Sequence, residues 1–391
     1  MKSIELFSGA GGLALGLSNA GVRHEYLIER NDDACGTLFQ NQGSGPRVAR
    51  HWKVFCGDVK KFDYRPFVEK IDMIAGGPPC QPFSLGGKHK GNEDNRDMFP
   101  EAVRAVAELR PMVFLFENVK GLLRQSFSSY FAYILHQLKY PEISRRDDED
   151  WREHLSRLEK YHTKGRPEGL HYRVLFRLVN AADYGVPQLR QRVFIIGFRS
   201  DLKKEWTFPK ESHSFDSLLH SQYVSEEYWD FHSVPRKRRP SPDPRFKDRI
   251  AKLRAEHSLF PLSTQRWLTV RDALSGLPDP ESQSPSRSFP NHEFRDGAKA
   301  YPGHTGSEMD EPAKTLKAGD HGVPGGENML RYPDGTLRYF TVRESARLQT
   351  FPDDYLFSGS WTEAMRQIGN AVPVRLAELV GKSIHNHISK N

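Results

Sequence analysis

The run Gly76-Gly77-Pro78-Pro79-Cys80-Gln81-Pro82-Phe83-Ser84 holds one cysteine between prolines, immediately after a short apolar stretch at 71–75. The two preceding prolines fix φ at about −65° and remove two N–H donors, so the loop can relax into neither helix nor sheet. A thiol held at a strand's carboxyl end is either a presented nucleophile or an inert cysteine in a tight turn, since free cysteines are usually core residues.

Other groups could work with such a thiol. Glu117 leads Glu117-Asn118-Val119 out of the apolar run 112–116. Desolvation at the end of a buried strand should raise its pKa and let it hold a proton near neutrality, although a carboxylate there can also cap the next helix. In Gln188-Leu189-Arg190-Gln191-Arg192, strand alternation puts Arg190 and Arg192 on one face. There they either bind substrate or pair with Glu117.

Phe7-Ser8-Gly9-Ala10-Gly11-Gly12 follows the first apolar strand and opens a helix. Glycines let a ligand approach the backbone, and the helix N-terminus offers free N–H groups. Glu29 ends the second strand, where a carboxylate can grip both hydroxyls of a ribose. Asp58, in Gly57-Asp58-Val59, ends the third and can accept from an adenine amino group. The spacing Gly-x-Gly-Gly departs from the dinucleotide fingerprint, so an adenosyl ligand without phosphate fits better than a pyrophosphate.

The elements that must position these groups alternate. Strands are expected at 3–7, 25–29, 54–56, 71–75, 112–117, 174–180 and 193–198, and helices at 13–20, 33–41, 99–109 and 127–138. Unbroken apolar strands between amphipathic helices predict an α/β fold, a doubly wound and mostly parallel sheet. In such sheets ligands sit beyond the strands' carboxyl ends, so Cys80 and Glu117 should share one crevice. A charged insertion at 141–168 is expected to be helical and has no assignable chemistry. From about 200 to 340 proline, glycine, serine and histidine become dense, yet aromatic residues such as Trp206, Tyr228, Trp229 and Trp267 recur. Disordered segments lack that aromatic content, so a small loop-rich second domain is expected. The resulting division is 1–199, 200–340 and a segment 341–391 that packs back on the first domain.

The 391 residues include 57 basic and 50 acidic side chains, a formal charge of +7, with excess positive charge at Arg236-Lys237-Arg238-Arg239 and over 245–254. This permits a polyanionic partner without requiring one. No apolar window is long enough for a membrane span, and the N-terminus reads as a strand rather than a signal peptide. Three cysteines (Cys35, Cys56, Cys80) form no C-x-x-C pair, which argues against structural zinc and suits a reducing cytosol. No metal is expected.

Taken together and in this order, residues 7–12, 78–84, 117–119, 188–192, 343–352 and Gly369-Asn370-Ala371-Val372 resemble the motifs of DNA (cytosine-5) methyltransferases, in particular the bacterial type II modification enzymes. The resemblance covers 4 to about 380, except 200–340, where that family carries a variable target-recognition domain. It implies an S-adenosyl-L-methionine-dependent α/β domain acting on double-stranded DNA. Residue by residue it makes Cys80 the nucleophile that adds to cytosine C6, Glu117 the acid at N3, and Arg192, with Arg190 beside it, a holder of the base. It assigns the cofactor to Phe7, Ser8, Gly9, Ala10, Gly11, Gly12, Glu29, Asp58, Val59, Pro79, Met98, Asn370 and Ala371. Arg30 stands where many relatives have an aromatic residue against adenine. The target base must leave the stack to be reached. Ser84, Lys88 and Lys90 then fall in a basic loop that closes on DNA. Thr315 and Lys317 begin a glycine-rich recognition loop, with Thr315 on a phosphate.

The resemblance further implies a cytoplasmic bacterial protein, a monomer on DNA, with a cognate restriction endonuclease encoded nearby. Two alternatives are a tRNA cytosine-5 methyltransferase of the same fold and a non-catalytic DNA-binding regulator. The former would show a Cys-Phe-Thr tripeptide and usually threonine at Ser84; the latter would lack the cysteine or the acid.

Overall fold

Short apolar runs become the strands β1 (Lys2–Leu6), β2 (Arg23–Glu29), β3 (Val54–Cys56), β4 (Met73–Gly76), β5 (Val113–Val119), β6 (Tyr172–Asn180) and β7 (Gln191–Arg199). They form one seven-stranded sheet in the order β3-β2-β1-β4-β5-β7-β6. The computed structural model describes all residues except 80–96, 166–168, 203–204, 257–261, 283–288, 303–304, 319–327 and 390–391. β1 pairs in parallel with β2 and β4, β2 with β3, and β4 with β5; β7 runs antiparallel to β5. The mostly parallel α/β sheet is as the alternation predicts. Residues 113–116 are wholly buried, as expected where helices cover both faces.

Helices α1 (Gly12–Asn19), α2 (Asp32–Ser44) and α3 (Phe99–Leu109) lie between the parallel strands, and α4 (Ser128–Lys139) and α5 (Trp151–Thr163) follow β5. The chain passes from β1 outward to β2 and β3, then returns to lay β4 on β1's other side. The reversal makes β1 and β4 the switch point, where an open sheet leaves a crevice at its strand ends. The strands come very close there. A Cβ on Gly76 would sit 2.4 Å from the Leu6 carbonyl oxygen, so only glycine fits.

The chain divides into two compact units, 1–179 with 191–208 and 377–391, and 180–190 with 209–376. These bounds differ from the expected 1–199, 200–340 and 341–391. Gln188 bridges to Ala313, which draws 180–190 into the second unit. Arg343, fully buried, donates to the carbonyls of Pro290, Pro352 and Tyr355, which holds 341–376 there as well, while 377–391 belongs to the first unit.

In the second unit, α6 (Phe215–Tyr223), α7 (Glu227–Phe231) and α8 (Lys247–Glu256) enclose two small apolar clusters around Leu218, Tyr228 and Trp229 and around Leu219, Ile250 and Leu253. The aromatic residues are thus ordered core. Part of the expected positive charge is neutralised locally: Arg239 pairs with Glu226 and Asp230, Arg245 with Asp243, and Arg249 with Asp216. One further expectation needs correction. Cys35 and Cys56, read as separate reduced thiols, form a disulfide, because α2 lies along β3 and brings their Cα atoms to 5.9 Å.

Candidate active site

The first functional edge is built where β1, β2 and β3 end. Phe7 (φ 55°) and Gly9 (φ 53°) both turn through left-handed backbone, a conformation costly for phenylalanine. Hydrogen bonds hold that turn open. Ser8 N–H donates to the Ile28 carbonyl (3.1 Å), and Gly9 N–H donates to Glu29 Oε2 (2.7 Å). The other Glu29 oxygen accepts from the N–H groups of Arg30 (2.9 Å) and Asn31 (2.8 Å). Three backbone donors therefore aim Glu29 and, among the described residues, leave one lone pair on Oε2 for a ligand.

Gly11, the residue before α1, gives the helix no side-chain cap, and a Cβ on Gly9 would meet nothing within 4 Å. An uncapped helix start beside open space, with Glu29 on one side, suits an adenosyl-amino-acid ligand. Asp58 begins the short turn at Val59, accepting from Lys60 N–H at 3.0 Å. Arg30 is exposed, and Met98 is half-buried, its N–H donating to the Pro79 carbonyl at 3.2 Å.

Next along the same edge, where β5 leaves the sheet, Arg192 Nε lies 2.8 Å from Glu117 Oε1, both side chains being about nine-tenths buried (12% and 9% exposed). Antiparallel pairing places Arg192 opposite Val119, on the face that also carries Glu117. Burial pushes the Arg192 guanidinium below its usual value, and the Glu117 carboxylate opposes that shift. Asn118 Nδ2 donates to the Pro78 carbonyl (2.9 Å), tying the end of β5 to the turn after β4. That turn leads directly into Cys80. Cys80, Ser84, Lys88 and Lys90 themselves lie outside the described residues.

Asn118 was passed over in the sequence, although it follows Glu117 directly. So was Glu5. Fully buried within β1, its carboxyl is pushed well above the usual carboxylate range by desolvation, with the Ala14 N–H opposing. An acid inside the apolar Ile4-Glu5-Leu6 is the signal that was there to find.

The remaining expected residues gather in the second unit. Arg190 requires a correction: it precedes β7, so the strand alternation expected to set it beside Arg192 does not apply to it. It is fully buried, and its guanidinium donates to the carbonyls of Leu316 (3.1 Å), Gly369 (2.7 Å) and Ala371 (2.9 Å). Arg190 thereby fixes the backbone around Asn370 and Ala371 and the strand of chain that carries Thr315. Asn370 is exposed. The Thr315 hydroxyl donates to the Leu189 carbonyl (2.5 Å), and Asn328 bonds both the N–H and the carbonyl of exposed Lys317. Among the described residues there is no metal-ligating cluster, and no helix is long and apolar enough to cross a membrane.

Comparison with known proteins accords with this arrangement. The family model for C-5 cytosine-specific DNA methylases matches residues 1–141 and 167–386. The chain is 34% identical to the type II methyltransferase M.PspPI of Psychrobacter sp. over 97% of its own length and 78% of that protein's. It is 30% identical to M.NgoMIV of Neisseria gonorrhoeae, covering 99% of this chain and 98% of the relative. Among solved structures, one named as a DNA modification methyltransferase of an Escherichia coli prophage shares 22% identity with a TM-score of 0.59, covering 100% of this chain and 99% of that one. A likeness that distant speaks to the fold alone.

Proposed function

This chain belongs to the C-5 cytosine-specific DNA methylase family, and from that premise we propose which of its residues carry out the methylation. Base flipping and a covalent enzyme–cytosine intermediate are features of the family. The observation that carries the residue assignment is the Asn118–Pro78 hydrogen bond. It ties the residue next to Glu117 to the turn from which Cys80 follows, while Arg192 holds the Glu117 carboxylate.

In this reading the Cys80 thiolate adds to C6 of the flipped cytosine while Glu117 delivers a proton to N3, so the ring gains an enamine and C5 becomes nucleophilic. Phe7, the 8–12 turn, Glu29, Asp58 and Val59 would hold S-adenosyl-L-methionine, which would supply the methyl group for C5. Loss of the C5 proton to solvent then lets the ring electrons expel the Cys80 thiolate by breaking the C6–sulfur bond, and the N3 proton returns to Glu117. Arg192 keeps Glu117 in place and offers its remaining donors to the base O2. Pro79 and Met98 would border the cofactor, Asn370 and Ala371 are assigned to it by the motif they share with the family, and Arg30, with a planar cation on an exposed side chain, would stack on adenine.

Thr315 and Lys317 contact the DNA backbone from the recognition segment, and Ser84, Lys88 and Lys90 add contacts of their own. The substrate is a short cytosine-containing duplex sequence, the working unit one chain on DNA in the cytoplasm, with a partner endonuclease acting on the same sequence.

The assignment is tested with labelled methyl donor offered with duplex DNA or with tRNA. Label should enter DNA at C5 of cytosine with the natural protein and not at all with Cys80→Ser. Label on tRNA alone, or full activity of Cys80→Ser, would overturn it.

A further inference from the structure

The family model that spans nearly all of this chain skips residues 142–166, the charged insertion that forms α5. Its start is firmly built. Asp150 and Glu153 form a reciprocal capping box, Arg157 binds Glu149 through two nitrogens at 2.7 Å each, and a second contact runs from Arg157 to the Ser144 carbonyl at 2.8 Å. His154, fully buried, bridges the Tyr133 hydroxyl (2.9 Å) and the Ile143 carbonyl (2.9 Å). The insertion is therefore a rigid body set against α4.

What it sets there is Tyr130. The Trp151 ring meets Tyr130 edge-on at 5.5 Å, and Tyr133 at 5.7 Å. The Tyr130 hydroxyl, at the inner end of that stack, donates to Asp97 Oδ2, while Asp97 Oδ1 accepts from the Phe99 N–H at 3.2 Å. Asp97 stands just ahead of α3, and the next residue, Met98, closes back onto Pro79. Pro79 and Asp97 are thus the two described anchors of the chain segment to which Cys80 belongs.

We propose that the insertion is a brace for the catalytic cysteine: Trp151 fixes Tyr130, Tyr130 fixes Asp97, and Asp97 sets where the segment carrying Cys80 rejoins the fold. The inference rests on the reading of Cys80 as nucleophile. Asp97, Tyr130 and Trp151 are positioning residues. None touches the base, and their effect is on how often the thiolate stands at the attack distance.

The test measures single-turnover methyl transfer and the rate of adduct formation on duplex DNA carrying 5-fluorocytosine, alongside cofactor affinity. Tyr130→Phe keeps the ring packing and removes the hydroxyl; both rates should fall about tenfold with cofactor affinity unchanged. Asp97→Ala should fall alike, the double variant no further, and Asp97→Asn, which keeps an acceptor oxygen, should recover most of the rate. A role confined to stability would lower the melting temperature of Tyr130→Phe and leave its adduct rate intact. Tyr130→Phe reacting at the wild-type rate, with Cys80→Ser inert, would overturn the brace alone. An active Cys80→Ser would sink the underlying reading and the brace with it.

Discussion

The carboxyl edge of the large sheet and the loop-rich second unit use the same device, a polar side chain bonded to backbone, for opposite ends. At the sheet edge the backbone aims a side chain: three N–H groups hold Glu29. In the second unit the side chains aim the backbone: Arg190 gathers three carbonyls and Asn328 clasps both sides of Lys317. The first arrangement presents chemistry that every member of the family must perform. The second presents a shape, which can vary with the sequence to be read while the chemistry stays unchanged.

Substitutions should divide along that line. The largest loss belongs to the sheet edge: Cys80→Ser should abolish methyl transfer while DNA binding by gel shift persists, and a loss of both together would break the division. Glu117→Gln should slow single-turnover transfer on the order of 10²- to 10⁴-fold, the range for removing a positioned acid, with the preferred DNA sequence unchanged. Arg190→Leu leaves three buried carbonyls without their donor and should cost about 3 kcal/mol in denaturant unfolding. Arg190→Lys should not restore it, because a single ammonium cannot replace the fork. Smallest of all, Lys317→Ala should weaken DNA binding a few-fold and lower the salt-dependence slope by about one, leaving the single-turnover rate at saturating DNA unaltered. A changed rate there would place Lys317 with the chemistry instead.

The same contrast explains what could be read from the sequence. Strands buried on both faces announce themselves as unbroken apolar runs, so the sheet, the 7–12 turn and the acids ending β2, β3 and β5 were all legible. The second unit has no such period, and its bounds depend on pairings such as Gln188 with Ala313, more than a hundred residues apart. Arg190 misled because alternation applies only once a strand has begun, and β7 begins at Gln191. The Cys35–Cys56 disulfide carried no spacing signature, being closed by packing of α2 against β3. Tyr130 has no sequence feature that sets it apart from the other aromatic residues of α4. Its bond to Asp97 joins residues 33 apart and is invisible without the fold.

The account stands on a sulfur–carbon bond between the residue after Pro79 and the flipped base. Duplex DNA with 5-fluorocytosine at the target position cannot lose a proton from C5, so the bond should persist after methyl transfer. Digestion and mass spectrometry of the trapped complex should return a single nucleotide-bearing peptide modified at Cys80. A crosslink at another residue, or steady turnover of ordinary DNA with no trapped species on the fluorinated one, would contradict the account.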